Sequence, residues 1–106
     1  MKAVQIINAV DSMKPNEIGE DVKFGWLGEA DARVRCEIAG ELPENISSIT
    51  GGDDELYVKS PYSRMYSEYL LAMIFFVGGE YDAYLKAYSA YEKTFVEYAK
   101  YCIRSR

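Results

Sequence analysis

Two adjacent glycines, Gly78 and Gly79, separate two stretches of helical periodicity, and this arrangement fixes most of what the chain can fold into. Before them, Met65, Tyr66, Tyr69, Leu70, Met73, Ile74 and Val77 recur at three- and four-residue spacing. After them, Tyr81, Tyr84, Leu85, Tyr88, Tyr91, Phe95, Tyr98, Ala99 and Cys102 do the same. A link of two glycines joins only an antiparallel pair of helices. One of the two is expected in the left-handed conformation that ends a helix. Leu70 to Val77 is apolar nearly all round, which predicts a central helix. Ser60 reads as its N-cap and Pro61 as its first helical residue. The last helix, about Glu80 to Arg104, spans roughly 36 Å at 1.5 Å per residue. Asp82 and Lys86 are spaced i,i+4 on its polar side, where an ion pair is expected.

Two more helices precede this hairpin. Ala3, Ile6, Ile7, Val10 and Met13 share one face of a helix over residues 2–13, which Pro15 stops. A second helix, about Glu20 to Ala39, carries the stripe Trp26, Leu27, Ala30, Val34 and Ile38 and the pairs Glu29–Arg33 and Asp31–Arg35. Gly25 and Gly28 each cost about 1 kcal/mol relative to Ala inside a helix. Either another backbone approaches closely there, or the helix starts later. Residues 40–55 read as one long loop, of the kind usually functional or disordered. Leu56-Tyr57-Val58 reads as a short extended piece, a candidate strand partner for another subunit. The expectation is an all-α single domain over residues 1–106: four helices, a C-terminal antiparallel hairpin and a loop at about 40–55.

The sequence of 106 residues is 49% apolar, which is globular composition. Its longest apolar run, Leu70 to Val77, is too short to cross a bilayer, and no secretion signal is read at Met1-Lys2, so a soluble intracellular protein is expected. Residues 1–55 hold five basic and twelve acidic side chains, and residues 56–106 hold seven and five. A chain of net charge −5 does not attract phosphate backbones, which argues against nucleic-acid binding. Cys36 and Cys102 fall on separate helices without CxxC spacing and read as reduced, half-buried thiols.

No residue pair points to a nucleophile and its base, and the chain has no histidine. No catalytic, cofactor-binding or metal-ligating residue is singled out. Gly51-Gly52-Asp53-Asp54-Glu55 looks like the signature loop of diguanylate cyclases, but that family needs a larger α/β domain, and the segment reads as an acidic turn. Asn45-Ile46-Ser47 fits a glycosylation sequon and reads as chance. All ten tyrosines fall within residues 57–101. Four helices do not bury ten tyrosines fully, so core plus subunit interface is the reading, over pure core or base stacking. The interface candidates are Tyr57, Tyr62, Tyr66, Tyr88, Tyr91 and Tyr98.

Trp26-Leu27-Gly28-Glu29-Ala30-Asp31-Ala32-Arg33 resembles a WL-x-E-x-D-x-R stretch, and Ser60-Pro61-Tyr62 with Tyr66, Tyr69-Leu70 and Ala72 a PY…Y…YL-x-A stretch. Gly79-Glu80-Tyr81 with Tyr84 resembles GEY…Y, and the region from Tyr91 to Tyr101 ends similarly. In this order they resemble the small helical head–tail connector (adaptor or head-completion) proteins of tailed phages and prophages of Gram-positive bacteria. The likeness covers most of the chain outside residues 40–55. It implies a structural protein, formed in the host cytoplasm, that makes a homo-oligomeric ring at the virion head–tail joint, between portal and tail-completion proteins. DNA must slide through such a ring, so an acidic lumen is expected, with Glu41, Glu44, Asp53, Asp54 and Glu55 as candidates. The alternative from the residues is a small helical adaptor that binds a cellular or phage protein through the same helical face, as monomer or dimer. No membrane contact and no sequence-specific nucleic-acid binding are expected.

Overall fold

In a computed structural model, which describes residues 1–105, the chain is all-helical: α1 (Ala3–Met13), α2 (Glu20–Glu37), a short 3-10 turn at Pro43–Asn45, α3 (Arg64–Val77) and α4 (Tyr81–Arg104). The molecule measures 40 × 28 × 22 Å, and α4, of 24 residues, is the longest of the described helices. None of the helices described is long and apolar enough to cross a membrane.

The expected hairpin is present. Arg64 reaches Glu97, Tyr69 packs on Tyr88 and Tyr91, and Phe76 packs on Tyr81 and Tyr84, so α3 and α4 run antiparallel along their whole shared length. Gly79 makes the turn at φ +76°, a conformation that only glycine adopts without strain. α3 packs against all three other helices. Its inner residues Met65, Tyr66, Leu70 and Ile74 meet Ile6, Ile7 and Val10 of α1, Leu27 and Val34 of α2, and Tyr91 and Phe95 of α4 in one core.

The start of α3 differs from the reading of Ser60-Pro61 as cap and first turn. Residues 60–63 form a non-helical turn and the helix begins at Arg64, with Ser63 at its N-cap. Hydrogen bonds from Tyr62 N to Lys59 O and from Tyr66 N to Ser63 O close this turn instead. Tertiary packing wins over the local signal, because Val58 is buried and Tyr62 lies against Tyr98 and Tyr101.

Leu56-Tyr57-Val58 is a second correction. Leu56 and Val58 are core residues of their own chain, so the segment is not offered as a strand to another subunit. Leu56 N donates to Met1 O, and Lys2 and Glu55 form one isolated antiparallel bridge. The preceding loop is tied to the same place. Ala3 N donates to Asp54 O and Val4 N to Gly52 O, both at 3.0 Å. These are orphan donors of the first turn of α1, so the loop acts as the helix cap.

α2 starts at Glu20, as expected, and so keeps both glycines inside it. Backbone approach does not explain them. A Cβ on Gly28 would stand 3.7 Å from Ile49, an ordinary contact, and one on Gly25 would meet nothing within 4 Å.

Candidate docking surfaces

Polar side chains of α2 turn inward and hold the elements together. Asp31 is 2% exposed on α2. It accepts from the Tyr66 hydroxyl at 2.6 Å, from Tyr57 N at 2.9 Å and from Arg35 Nε at 3.0 Å. The Tyr66 oxygen in turn accepts from Val58 N at 2.9 Å. One carboxylate therefore links α2, α3 and the segment 57–58. Burial, then the hydrogen bond to Asp31, pushes the Tyr66 hydroxyl well above its ordinary range. Lys23, also buried, reaches Asp11 at 2.8 Å and joins α2 to α1.

Arg33 joins α2 to α4. It pairs with Glu92 at 2.6 Å and Glu37 at 2.9 Å, donates to the Tyr91 hydroxyl at 3.2 Å, and lies 4.0 Å over the Phe95 ring. Glu92 holds the guanidinium even more firmly protonated than usual, and Arg33 lowers Glu92 in return. The expected Asp31–Arg35 pair forms, whereas Glu29 accepts from the Tyr69 hydroxyl at 3.0 Å while Arg33 turns to Glu37 and Glu92.

This network divides the six interface tyrosines. Tyr66, Tyr91 and Tyr98 are core residues, so their rings are covered by their own chain and are corrected from interface to core. Tyr57 stays at the surface with Arg35 over its ring at 5.2 Å. Tyr62 and Tyr88 are half-buried. Tyr62, Tyr98, Tyr101 and Pro61 line a concavity of about 410 Å³.

The five loop acids do not act as one patch. Asp54 accepts from Thr50 N and Gly51 N, and these two donors hold its carboxyl below the usual range. Glu55 is bound by the Met1 amine at 3.1 Å, which lowers it likewise. Glu41 lies 3.6 Å from Arg35. Glu44 and Asp53 project from the surface. In the glycine-rich turn, Asp54 is thus engaged by its own loop, and no group of three or more Cys, Asp or Glu among the described residues is arranged to hold a metal ion.

The surface that sequence reading missed is the hairpin end. The last turn of α3 and the first turns of α4 extend past the core. Phe76 is 49% exposed, Val77 60%, Tyr81 59% and Leu85 63%. Phe76 stacks edge-on against Tyr81 with ring centres 5.8 Å apart, so these side chains form one apolar patch. Beside it, Lys14 and Glu80 neutralise each other at 3.0 Å. The signal in the sequence was the length of the run Leu70–Val77, which outlasts the face α3 needs for packing. No protein-family model matches this chain, and neither does any curated protein or solved structure.

Proposed function

We propose that this chain is a structural component of the head–tail joint of a tailed phage, forming a ring between portal and tail after DNA packaging. The observation that carries the reading is the exposed patch of Phe76, Val77, Tyr81 and Leu85 at the hairpin end. Large apolar side chains grouped at one end, around a neutral Lys14–Glu80 pair, suit a docking face for another protein. The resemblance in the WL, PY and GEY stretches supplies the setting. Several of its residues are the ones that hold the helices together: Leu27, Asp31 and Arg33 on α2, and Tyr66 and Leu70 on α3. Glu44, exposed, and Asp53, which projects beside Lys2 at 3.7 Å, are the loop acids that could face a DNA channel.

The test is deletion of the gene in its presumed prophage, induction, and electron microscopy of the lysate. DNA-filled or leaking heads beside free, complete tails are expected. Normal infectious particles would overturn the reading.

A further inference from the structure

The basic charges left unpaired in the fold gather on one helix, where the exposed acid Asp82 and the Arg64-paired Glu97 also lie. Among the described residues, Lys86, Lys93, Lys100 and Arg104 are the basic side chains that form no ion pair within the chain, and all four lie on α4. At about 100° per residue they share one edge of its exposed side. Exposed Val96 and Ile103 lie along the adjacent edge. Val96 stands one turn from Lys93 and one from Lys100, so these three side chains form an apolar knob between two ammonium groups.

A matching surface lies at the start of α2. Glu17, Glu20 and Asp21 are exposed acids with no partner in the chain, and exposed Val22 lies next to them. Glu20 and Asp21 rim a concavity of about 410 Å³ whose other walls are Phe24, Ile49 and Thr50. Its apolar walls and acidic rim are opposite in sign to Lys93 and Lys100 and alike in character to Val96.

We infer that the outer face of α4 docks on the α2 start of a second copy of this chain, with Val96 over Phe24 and Ile49, and Lys93 and Lys100 against Asp21 and Glu20. The two faces differ, so the contact is heterologous and propagates head to tail. It supplies the contact that the proposed ring requires and in its biological use rests on that reading; the association itself rests on the charges and the cavity alone.

Sedimentation velocity of the wild-type chain at low and high salt tests it. Concentration-dependent association that weakens with salt is expected. Lys93→Glu with Lys100→Glu should weaken it at least about a hundredfold, because like charges then face each other. Glu20→Lys with Asp21→Lys should do the same. All these side chains are exposed, and far-UV circular dichroism checks that each variant folds. Mixing the two reversed variants should restore association, since each then offers the other a complementary pair of faces. Loss in the α4 variant alone, with the α2 variant unaffected, would overturn the inference in favour of a symmetric α4–α4 contact. A wild-type chain that stays monomeric at low salt overturns it too, as does one that stays monomeric and binds duplex DNA. Association as described, with normal particles after gene deletion, would leave this inference standing and remove the joint reading.

Discussion

The hydroxyl of Tyr66 and the carboxylate of Asp31 meet at 2.6 Å across 35 residues of chain, and both are buried. A buried carboxylate deprived of its partners is costly. Asp31→Ala removes the acceptor of three donors, and a loss of about 3 kcal/mol is expected. Tyr66→Phe leaves Asp31 short of a donor and Val58 N without an acceptor, for about 2 kcal/mol. Urea unfolding of each variant measures both, and a change below about 0.5 kcal/mol in either would contradict this account.

The same pair gives the protein an alkaline limit. The hydroxyl of Tyr66 is raised in the fold, so above about pH 10 the unfolded chain releases that proton while the folded one keeps it. The stability it lends is complete below that pH and lost as pH rises towards the folded value. Thermal melting against pH should show the decline, and Tyr66→Phe should flatten it.

Acid acts elsewhere. Asp54 is lowered by Thr50 N and Gly51 N. Its contribution is present above the ordinary carboxylate range and is lost as pH falls through its depressed value. Because Asp54 closes the turn whose carbonyls cap α1, the protection of the Ala3 and Val4 amides, measured against the intrinsic exchange rate at each pH, should fall on acidification. Asp54→Ala, which removes the acceptor of both donors, should show that lower protection already at neutral pH.

The glycines should respond in opposite directions. Gly25 has open space where a Cβ would stand and lies inside α2, so Gly25→Ala should add about 0.5–1 kcal/mol. Gly79 sits at φ +76°, and Gly79→Ala should cost about 1 kcal/mol or more. Melting temperatures of the two variants should therefore fall on either side of the wild type.

At the hairpin end, Leu85→Lys places a charge on a side chain that is 63% exposed. Stability should change by less than about 0.5 kcal/mol. Incorporation into particles, followed by immunoblot of purified virions, should drop sharply. Normal incorporation would remove the patch from the docking role.

The number of helices, the hairpin and the left-handed glycine were legible because Pro15, Gly40 and Gly78-Gly79 break clear runs of helical spacing. Burial was legible only where apolar residues carried it. Lys23 and Asp31 fall on the inner face of α2 beside Leu27, Ala30 and Val34, and a hydropathy pattern places such residues outside. They are inside because Asp11, Tyr66, Tyr57 and Arg35 complete their hydrogen bonds, and those partners come from distant parts of the chain. Tyr66, Tyr91 and Tyr98 were misplaced at an interface for the same reason. Periodicity assigns Tyr66 and Tyr81 alike to an apolar stripe, and only the length of α3 and α4 beyond the core decides that one is enclosed and the other bare.

The capping of α1 by Gly52 and Asp54 also has a kinetic meaning. The first helix in the chain is completed by carbonyls that lie beyond the whole of α2. Its opening turn is therefore not a local event. It cannot be secured until the loop has returned, and it frays whenever the loop lifts. The apparent surface loop and the start of α1 form one unit of local unfolding, and their amides should exchange together.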